Sequence, residues 1–357
     1  MTETGRTLRV SAVLMAALVL IAPASARGGQ APRTVVDSLG RSVPVPDRAE
    51  RILSLQPELS RIIIALGAGE RLVGVDYFLR RFDHAARIVF PRLLELPLVT
   101  RLGEDVNVEL IMELKPDVIF VSPSESWLAD ALQAKIPTPV AAFSSLGSLD
   151  ALLEEVGFIG ELIGRPERAG ELVRFARAEL EEIRGRWTGT PPGRRPRAYL
   201  SFYSSLLRTV ATYGPLEAAG GANVAGALPA VAPGTRQATV NLERILAWDP
   251  DIILIQGSFP PAERAVTVES VLGDARLRSL RAVRDRKVAY TFGFWYWWDP
   301  AQVLLETRYL GRLFHPALFR DFDFEAEGNR IYRFVYGKDG VFSAVSSTLK
   351  CDEWALD

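Results

Sequence analysis

The stretch VNVELIMELKPDVIFV, residues 106–121, decides the fold because it returns as VNLERILAWDPDIILI at residues 240–255. Seven of the 16 aligned positions are identical, and most of the others exchange one apolar residue for another. In each copy an Asn precedes apolar residues at helical spacing, a Pro ends that pattern, and an apolar run follows. Such a run is typical of a strand buried on both faces. The repeat therefore predicts a helix-turn-strand unit of a parallel α/β sheet in each half of the chain.

The residues around the first copy predict an N-terminal α/β lobe over residues 33–150. RTVVDSLGRSVPVP, residues 33–46, predicts a small hairpin that turns at Leu39 and Gly40. RILSLQPELSRIIIALGAGERLVGV, residues 51–75, predicts a strand, a helix that ends at Gly67, and a second strand. The first copy of the repeat then adds the next strand of the same sheet.

Connecting helices are expected over residues 151–187, and the longest of them separates the two lobes. PERAGELVRFARAELEEIRGRW, residues 166–187, places Pro166 in a first turn and repeats apolar residues near helical spacing. A helix of this length spans about 30 Å, the width of a small domain. TGTPPGRRP then ends it, so that residues 188–334 form a C-terminal α/β lobe and residues 335–357 a tail.

The N-terminus has the pattern of an export signal. Arg6 and Arg9 precede the apolar run VSAVLMAALVLIA, and Ala24-Ser25-Ala26 supplies small residues before a cleavage site. The run is shorter than the roughly 20 residues that span a bilayer. We therefore predict a signal peptide at residues 1–26, cleavage after Ala26, and a periplasmic protein without a lipid-anchor Cys.

Composition excludes several classes of function. The formal net charge of -1 gives no reason to expect nucleic acid as a partner. The chain has one Cys and two His, which disfavours a disulfide framework, a thiolate cluster or a His-rich metal site, so no metal site and no cofactor are expected. The sequence contains no nucleophile elbow, no His-Glu-x-x-His pair and no phosphate loop. The chain is therefore predicted not to be an enzyme.

Four segments in this order resemble the periplasmic binding proteins of ABC importers for iron complexes and cobalamin. They are the early strand-helix-strand segment, the two copies of N-x-E followed by Pro-Asp, and the late helix ending in LFHPALF. The resemblance runs from about Thr34 to Phe334. It implies two doubly wound lobes with parallel sheets, joined by a single long α-helix, with a ligand cleft between the lobes.

The resemblance also explains why the phrase occurs twice. In this family the Glu of each N-x-E phrase docks onto Arg residues of the dimeric membrane permease, one lobe to each subunit. Here these positions are Glu109 and Glu243. The alternative is that each carboxylate only complements the dipole of its helix, worth about 0.3–1 kcal/mol. We predict docking by a monomer to the permease dimer.

Candidate ligand-binding residues follow the predicted strands, where ligands bind in open α/β sheets. The most unusual segment is FGFWYWWDP, residues 292–300, which contains three of the seven Trp. Its alternative role is an apolar plug between the last strand and helix. The predicted cleft residues are Trp295, Tyr296, Trp297, Tyr77, Arg80, Trp127, Tyr203, Arg101 and Arg236.

Aromatic rings with a few Arg suit a large anionic chelate that arrives with its metal already coordinated. A ferric siderophore or related iron complex is therefore the first expectation for the ligand. Cobalamin, haem, and molybdate or tungstate stay open, although an oxyanion would need several small hydrogen-bond donors. A sensor that uses the same lobes without a permease is the rival from another class.

Overall fold

Two parallel sheets of four strands each carry the fold, one in each lobe. The computed structural model describes residues 32–100, 106–145, 148–202, 204–229, 237–293 and 299–354. From Ala31 onward the chain forms a single compact unit, so both lobes belong to one body.

The N-terminal lobe has the sheet order β4-β3-β5-β6, with all neighbours parallel, and a separate antiparallel hairpin of β1 and β2. Its elements are β1 (Arg33–Val36), β2 (Ser42–Val45), β3 (Ile52–Ser54), α1 (Pro57–Ala65), β4 (Leu72–Gly74), α2 (Tyr77–Phe82), α3 (His84–Val89), α4 (Val108–Leu114), β5 (Val118–Val121), α5 (Ser126–Lys135) and β6 (Val140–Ala142). The predicted hairpin and the predicted strand-helix-strand segment are confirmed.

Two helices connect the lobes, α6 (Leu149–Leu162) and α7 (Pro166–Trp187). The second has the 22 residues that the sequence predicts. Its buried face includes Leu172, Ala176, Leu180 and Ile183. Gly160 lets α6 approach closely, since a Cβ there would lie 2.3 Å from the Cβ of Ala169. Ion pairs from Glu179 to Arg308, at 2.9 Å, fasten α7 to the C-terminal lobe.

The C-terminal lobe repeats the strand order of the first lobe as β9-β7-β11-β12, again with all neighbours parallel. Its elements are β7 (Arg197–Ser201), β8 (Arg208–Val210), α8 (Gly214–Ala218), β9 (Ala222–Asn223), β10 (Gln237–Thr239), α9 (Leu242–Trp248), β11 (Ile252–Gln256), α10 (Val268–Leu272), α11 (Arg281–Arg284), β12 (Val288–Thr291), α12 (Pro300–Phe314), α13 (Phe324–Tyr336) and α14 (Val341–Leu349). The predicted fold class, two parallel α/β lobes joined by a long helix, is confirmed.

Each copy of the repeated phrase forms the predicted helix-turn-strand unit. Asn107 caps α4 by accepting the Leu110 N–H at 2.9 Å, and Asn241 caps α9 by accepting the Arg244 N–H at 2.9 Å. Both helices end in a left-handed residue before the Pro. The strands that follow, β5 and β11, are buried along their whole length in the centre of their sheets.

The predicted boundary between residues 334 and 335 falls inside α13, and the segment after it is packed. Trp354, 1% exposed, lies against Tyr290 and Phe292 of the C-terminal lobe. α14 packs on α3 of the other lobe, and Lys338 Nζ donates to the Ile88 carbonyl at 2.8 Å. The C-terminal residues up to 354 therefore join both lobes.

Candidate ligand cleft and docking residues

The carboxyl ends of the strands form one edge of each parallel sheet, which we call the ligand edge. In open α/β sheets ligands bind outside this edge. In the N-terminal lobe it comprises the residues just after β3, β4, β5 and β6, and in the C-terminal lobe those after β7, β9, β11 and β12. The predicted cleft lies between the two ligand edges.

Aromatic and charged side chains bring the two lobes into contact beside the cleft. The rings of Phe82, in α2, and Phe259, after β11, pack edge to face with their centroids 6.0 Å apart. Arg81 Nη2 lies 3.4 Å from Glu263 Oε1 of the other lobe. These contacts join the two lobes at α2.

Three of the predicted cleft residues lie within the described part of the chain, all at the ligand edge of the N-terminal lobe. Tyr77 begins α2 and packs edge-on against Phe78 and Phe82. Arg80 is turned back to its own lobe, where Nη1 donates to the Leu96 carbonyl at 3.2 Å. Trp127, in the first turn of α5, is 64% exposed.

The other six predicted cleft residues lie outside the described residues. They are Arg101, Tyr203, Arg236, Trp295, Tyr296 and Trp297. Their assignment to the cleft stays a prediction from the sequence.

Small hydrogen-bonding side chains are frequent at the ligand edges. Ser122, Ser124 and Ser126 lie between β5 and the start of α5, and the hydroxyls of the first two are 2.7 Å apart. Further hydroxyls follow other strands, namely Ser144, Ser145, Ser204, Ser205 and Ser258. Helix α5 begins at this same edge without a side-chain cap, and a helix N-terminus supplies free N–H groups. The edge can therefore offer several donors to an anion.

Two buried carboxylates support the ligand edges from behind. Glu58, in α1, accepts hydrogen bonds from the Ser145 N–H and hydroxyl after β6. Glu306, in α12, accepts from the Phe292 N–H at 3.0 Å and from the Thr291 hydroxyl at the end of β12. Burial raises the pKa of Glu306 to about 7. Neither glutamate was predicted from the sequence. The signal that could have indicated them is one acidic residue within an otherwise largely apolar helix, as in PELSRIII for Glu58 and VLLETRYL for Glu306.

A buried polar cluster joins the lobes near the cleft. Arg61 Nε donates to Asp83 within the N-terminal lobe, and the Tyr336 hydroxyl donates to Asp299 in the C-terminal lobe. Burial, together with the charge of Asp83, raises the pKa of Asp299 to about 6. Burial likewise raises the pKa of Asp76, which caps α2, to about 6. Arg61 thus lies among acidic groups from both lobes.

Glu109 and Glu243 occupy equivalent positions in the two lobes. Each lies in the first turn of its helix, α4 or α9, and each is exposed. Neither forms an ion pair within the described ranges. Both carboxylates are exposed, as the docking prediction requires.

Neither a metal-binding cluster nor a membrane-spanning helix is found in the described part of the chain. No group of three or more His, Cys, Asp or Glu side chains there could hold a metal ion. None of the helices described is long and apolar enough to cross a membrane.

Fold and site together define a two-lobed α/β binding protein. A family model described as periplasmic binding protein matches residues 52–292. The chain belongs to the periplasmic binding protein family, and the resemblance inferred from its motifs is confirmed. The relatives are substrate-binding proteins, in agreement with the prediction that the chain is not an enzyme.

Individual relatives differ in the ligands that their names give. Molybdate-binding protein MolA of Haemophilus influenzae is 27% identical over 341 residues, covering 86% of this chain and 91% of that protein. Vitamin B12-binding protein of Vibrio cholerae is 26% identical over 147 residues, covering 41% of this chain and 50% of that protein.

Solved structures show the same architecture. The structure of MolA of Haemophilus influenzae bound to molybdate matches with a TM-score of 0.70 at 25% identity, covering 86% of this chain and 98% of that one. An ABC transporter solute-binding protein of Sulfurospirillum deleyianum matches with a TM-score of 0.71 at 21% identity, covering 89% and 99% of the two chains. The second likeness shows the fold alone.

Proposed function

We propose that this chain is the solute-binding component of an ABC importer and that its solute is a small metal oxyanion of the molybdate and tungstate class. The observation that carries the ligand class is the similarity to molybdate-binding MolA, 27% identity over 341 residues. That similarity covers 86% of this chain, whereas the similarity to the vitamin B12-binding protein covers 41%. The similarity to a molybdate binder therefore extends over most of both lobes, which supports the proposal.

The chemistry of the ligand edge supports a tetrahedral oxyanion. Such an anion is bound by several short donors, hydroxyl and backbone N–H groups, that converge on its oxygen atoms. Ser124 and Ser126 are exposed beside the start of α5, and Ser204 is exposed after β7. The Phe82 and Phe259 contact, which joins the lobes beside the cleft, also favours a small ligand over a wide one.

A ferric siderophore is the second candidate, because aromatic residues also occur at the ligand edge. Trp127 is 64% exposed in the first turn of α5, and the sequence at residues 292–300 is rich in Trp. A large chelate would stack on such rings. Cobalamin and haem would use the same rings.

Delivery to the permease would use Glu109 and Glu243, one from each lobe. Both are exposed in the first turn of equivalent helices, and both lobes have the same strand order. A permease dimer with two equivalent Arg sites would therefore meet two similarly placed carboxylates. The protein would work as a monomer in the periplasm after cleavage of residues 1–26.

The test is a calorimetric titration of the protein from Arg27, with molybdate, tungstate, sulfate, ferric catecholate, ferric hydroxamate, haem and cobalamin. Saturable binding of molybdate and tungstate, without binding of the organic complexes, is the expected result. Binding of a ferric chelate but not of molybdate would replace the first candidate with the second. Absence of binding for the whole series would overturn both.

Variants separate the two candidates within the same site. Combined replacement of Ser124 and Ser126 by Ala should weaken oxyanion binding, whereas Trp127→Ala should weaken chelate binding. Ser279→Ala is the matched control, because Ser279 is exposed and precedes α11, which leads to the opposite end of β12. Equal effects of the control and the serine variants would contradict the assignment.

A further inference from the structure

The last strand of the N-terminal sheet is held at its ligand edge by a glutamate from another element. Glu58, 0% exposed, accepts the Ser145 N–H with Oε1 at 2.8 Å and the Ser145 hydroxyl with Oε2 at 2.9 Å. Ser145 follows β6 by three residues. One carboxylate thus binds both the backbone and the side chain of a single buried residue just after the fourth strand of the sheet.

The last strand of the C-terminal sheet is held in the same way. Glu306, 1% exposed, accepts the Phe292 N–H with Oε2 at 3.0 Å. Its Oε1 accepts from the Thr291 hydroxyl and, at 3.3 Å, from the Tyr213 hydroxyl. Again one carboxylate binds a backbone N–H and a hydroxyl where the fourth strand of the sheet ends.

The two glutamates come from different places in their lobes. Glu58 is in α1, which follows the first strand of its sheet, and Glu306 is in α12, which follows the fourth strand. Duplication of one ancestral lobe would have placed them on corresponding helices. In each lobe a glutamate from a different helix binds the end of the fourth strand. This indicates that both lobes require the end of that strand to be held in place at the ligand edge.

A contribution to stability does not by itself explain why these buried positions carry carboxylates. Burying a carboxylate costs free energy, and the groups that act on the Glu306 carboxyl within the described residues are Thr291, Phe292 and Tyr213, none of them basic. A neutral side chain could satisfy these groups. A retained acid suggests that the orientation of the strand end matters more than its stability.

We propose that Glu58 and Glu306 are positioning residues, which fix the ligand edge of the fourth strand in each lobe and thereby set ligand affinity without touching the ligand. The inference rests on the proposed function for the place of the ligand. Supporting residues behind a binding site change affinity when they are removed, because the groups in front lose their fixed geometry.

The experiment compares Glu306→Gln with Glu306→Ala. Gln keeps an oxygen for the Phe292 N–H, and its NH₂ can donate to the Thr291 hydroxyl, which rotates to accept. Affinity for molybdate, measured by calorimetry, should fall about tenfold or more in the Ala variant and recover in the Gln variant. The pair Glu58→Ala and Glu58→Gln should behave alike.

A second readout needs no ligand. Hydrogen exchange of the amides at residues 288–293 should quicken in Glu306→Ala, and that of Ser145 in Glu58→Ala. Glu179→Ala is the control, because it removes an ion-paired carboxylate on α7 and should lower stability without changing affinity or the exchange of these amides.

If the Ala variants bind as tightly as the control, the positioning role is overturned. If the native protein binds no ligand while exchange responds as expected, the proposed function fails and the anchoring of the strand ends stands.

Discussion

The carboxylate of Asp117 accepts the backbone N–H of Arg51 at 2.8 Å, and thereby joins the start of β5 to the start of β3. In the other lobe Asp251 accepts the Arg197 N–H at 2.9 Å and joins β11 to β7. The Asp of each Pro-Asp pair therefore links the two central strands of its sheet by a hydrogen bond. The repeated phrase serves the fold with its Asn, Pro and Asp, and leaves its Glu exposed.

Removal of this hydrogen-bonded link should destabilise the lobe that contains it. Asp117→Ala removes the acceptor of the Glu50 and Arg51 N–H groups, which are exposed, and should lower the free energy of unfolding by about 0.5–1.5 kcal/mol. Asp251→Ala should cost a similar amount. Urea denaturation would measure both. Glu113→Ala, an exposed position on α4, should change the free energy of unfolding by less than about 0.5 kcal/mol.

The exposed acids of the phrase give a prediction about transport rather than stability. Glu109→Arg combined with Glu243→Arg should abolish uptake in cells, because Arg would repel the Arg residues expected on the permease. Ligand affinity of the purified double variant should equal that of the native protein, since both carboxylates are exposed and neither is among the predicted cleft residues. Glu113→Arg is the control. Normal uptake by the double variant would reject the docking assignment.

Much of the fold could be predicted because its signals are local. Caps such as Asn107, the Pro-terminated helices, the apolar strands and the uninterrupted pattern of α7 each lie within a short stretch of sequence. The docking of α14 on α3 could not be predicted, since it depends on residues about 250 positions apart, such as Ile88 and Lys338. Phe175 shows the same limit: it stacks on Phe334 with the ring centroids 3.8 Å apart, a contact that no local pattern contains.

The candidate site was less accessible to sequence reasoning. Trp127 could be placed at a strand end from the predicted strand alone, and it is exposed there. The supporting role of Glu58 could not, because its partner Ser145 comes 87 residues later. Arg80 shows a contact that the sequence did not indicate, since its Nη1 donates to the Leu96 carbonyl at 3.2 Å, and its role in the cleft stays a prediction.

The buried carboxyl of Glu306 predicts a pH-dependent stability. Because burial raises its pKa to about 7, folding favours the protonated form, and stability should fall as pH rises from about 4.5 to about 7. The loss attributable to Glu306 is on the order of 3 kcal/mol. The titratable groups that face it are Tyr213, Tyr309 and Cys351, and burial raises the pKa of each, so they remain neutral in this range.

Comparison with Glu306→Gln isolates this contribution from other acids such as Asp76 and Asp299, whose raised pKa values act in the same direction. The native protein should lose stability relative to the variant between pH 4.5 and 7, and the difference should be constant above that range. Chemical denaturation at a series of pH values measures it. Parallel curves for the two proteins would contradict the assignment.

The contacts between the lobes predict a small movement on ligand binding. α7 is a single helix fastened at Glu179, the rings of Phe82 and Phe259 meet beside the cleft, and α14 packs on α3. A wide hinge opening would have to break these contacts and expose the buried Arg61 and Asp299. Small-angle scattering should therefore show a radius of gyration that changes by less than about 1 Å between the free and ligand-saturated protein. A larger decrease would mean that the lobes separate in the free state despite these contacts, and that the interlobe cluster forms only when the ligand is bound.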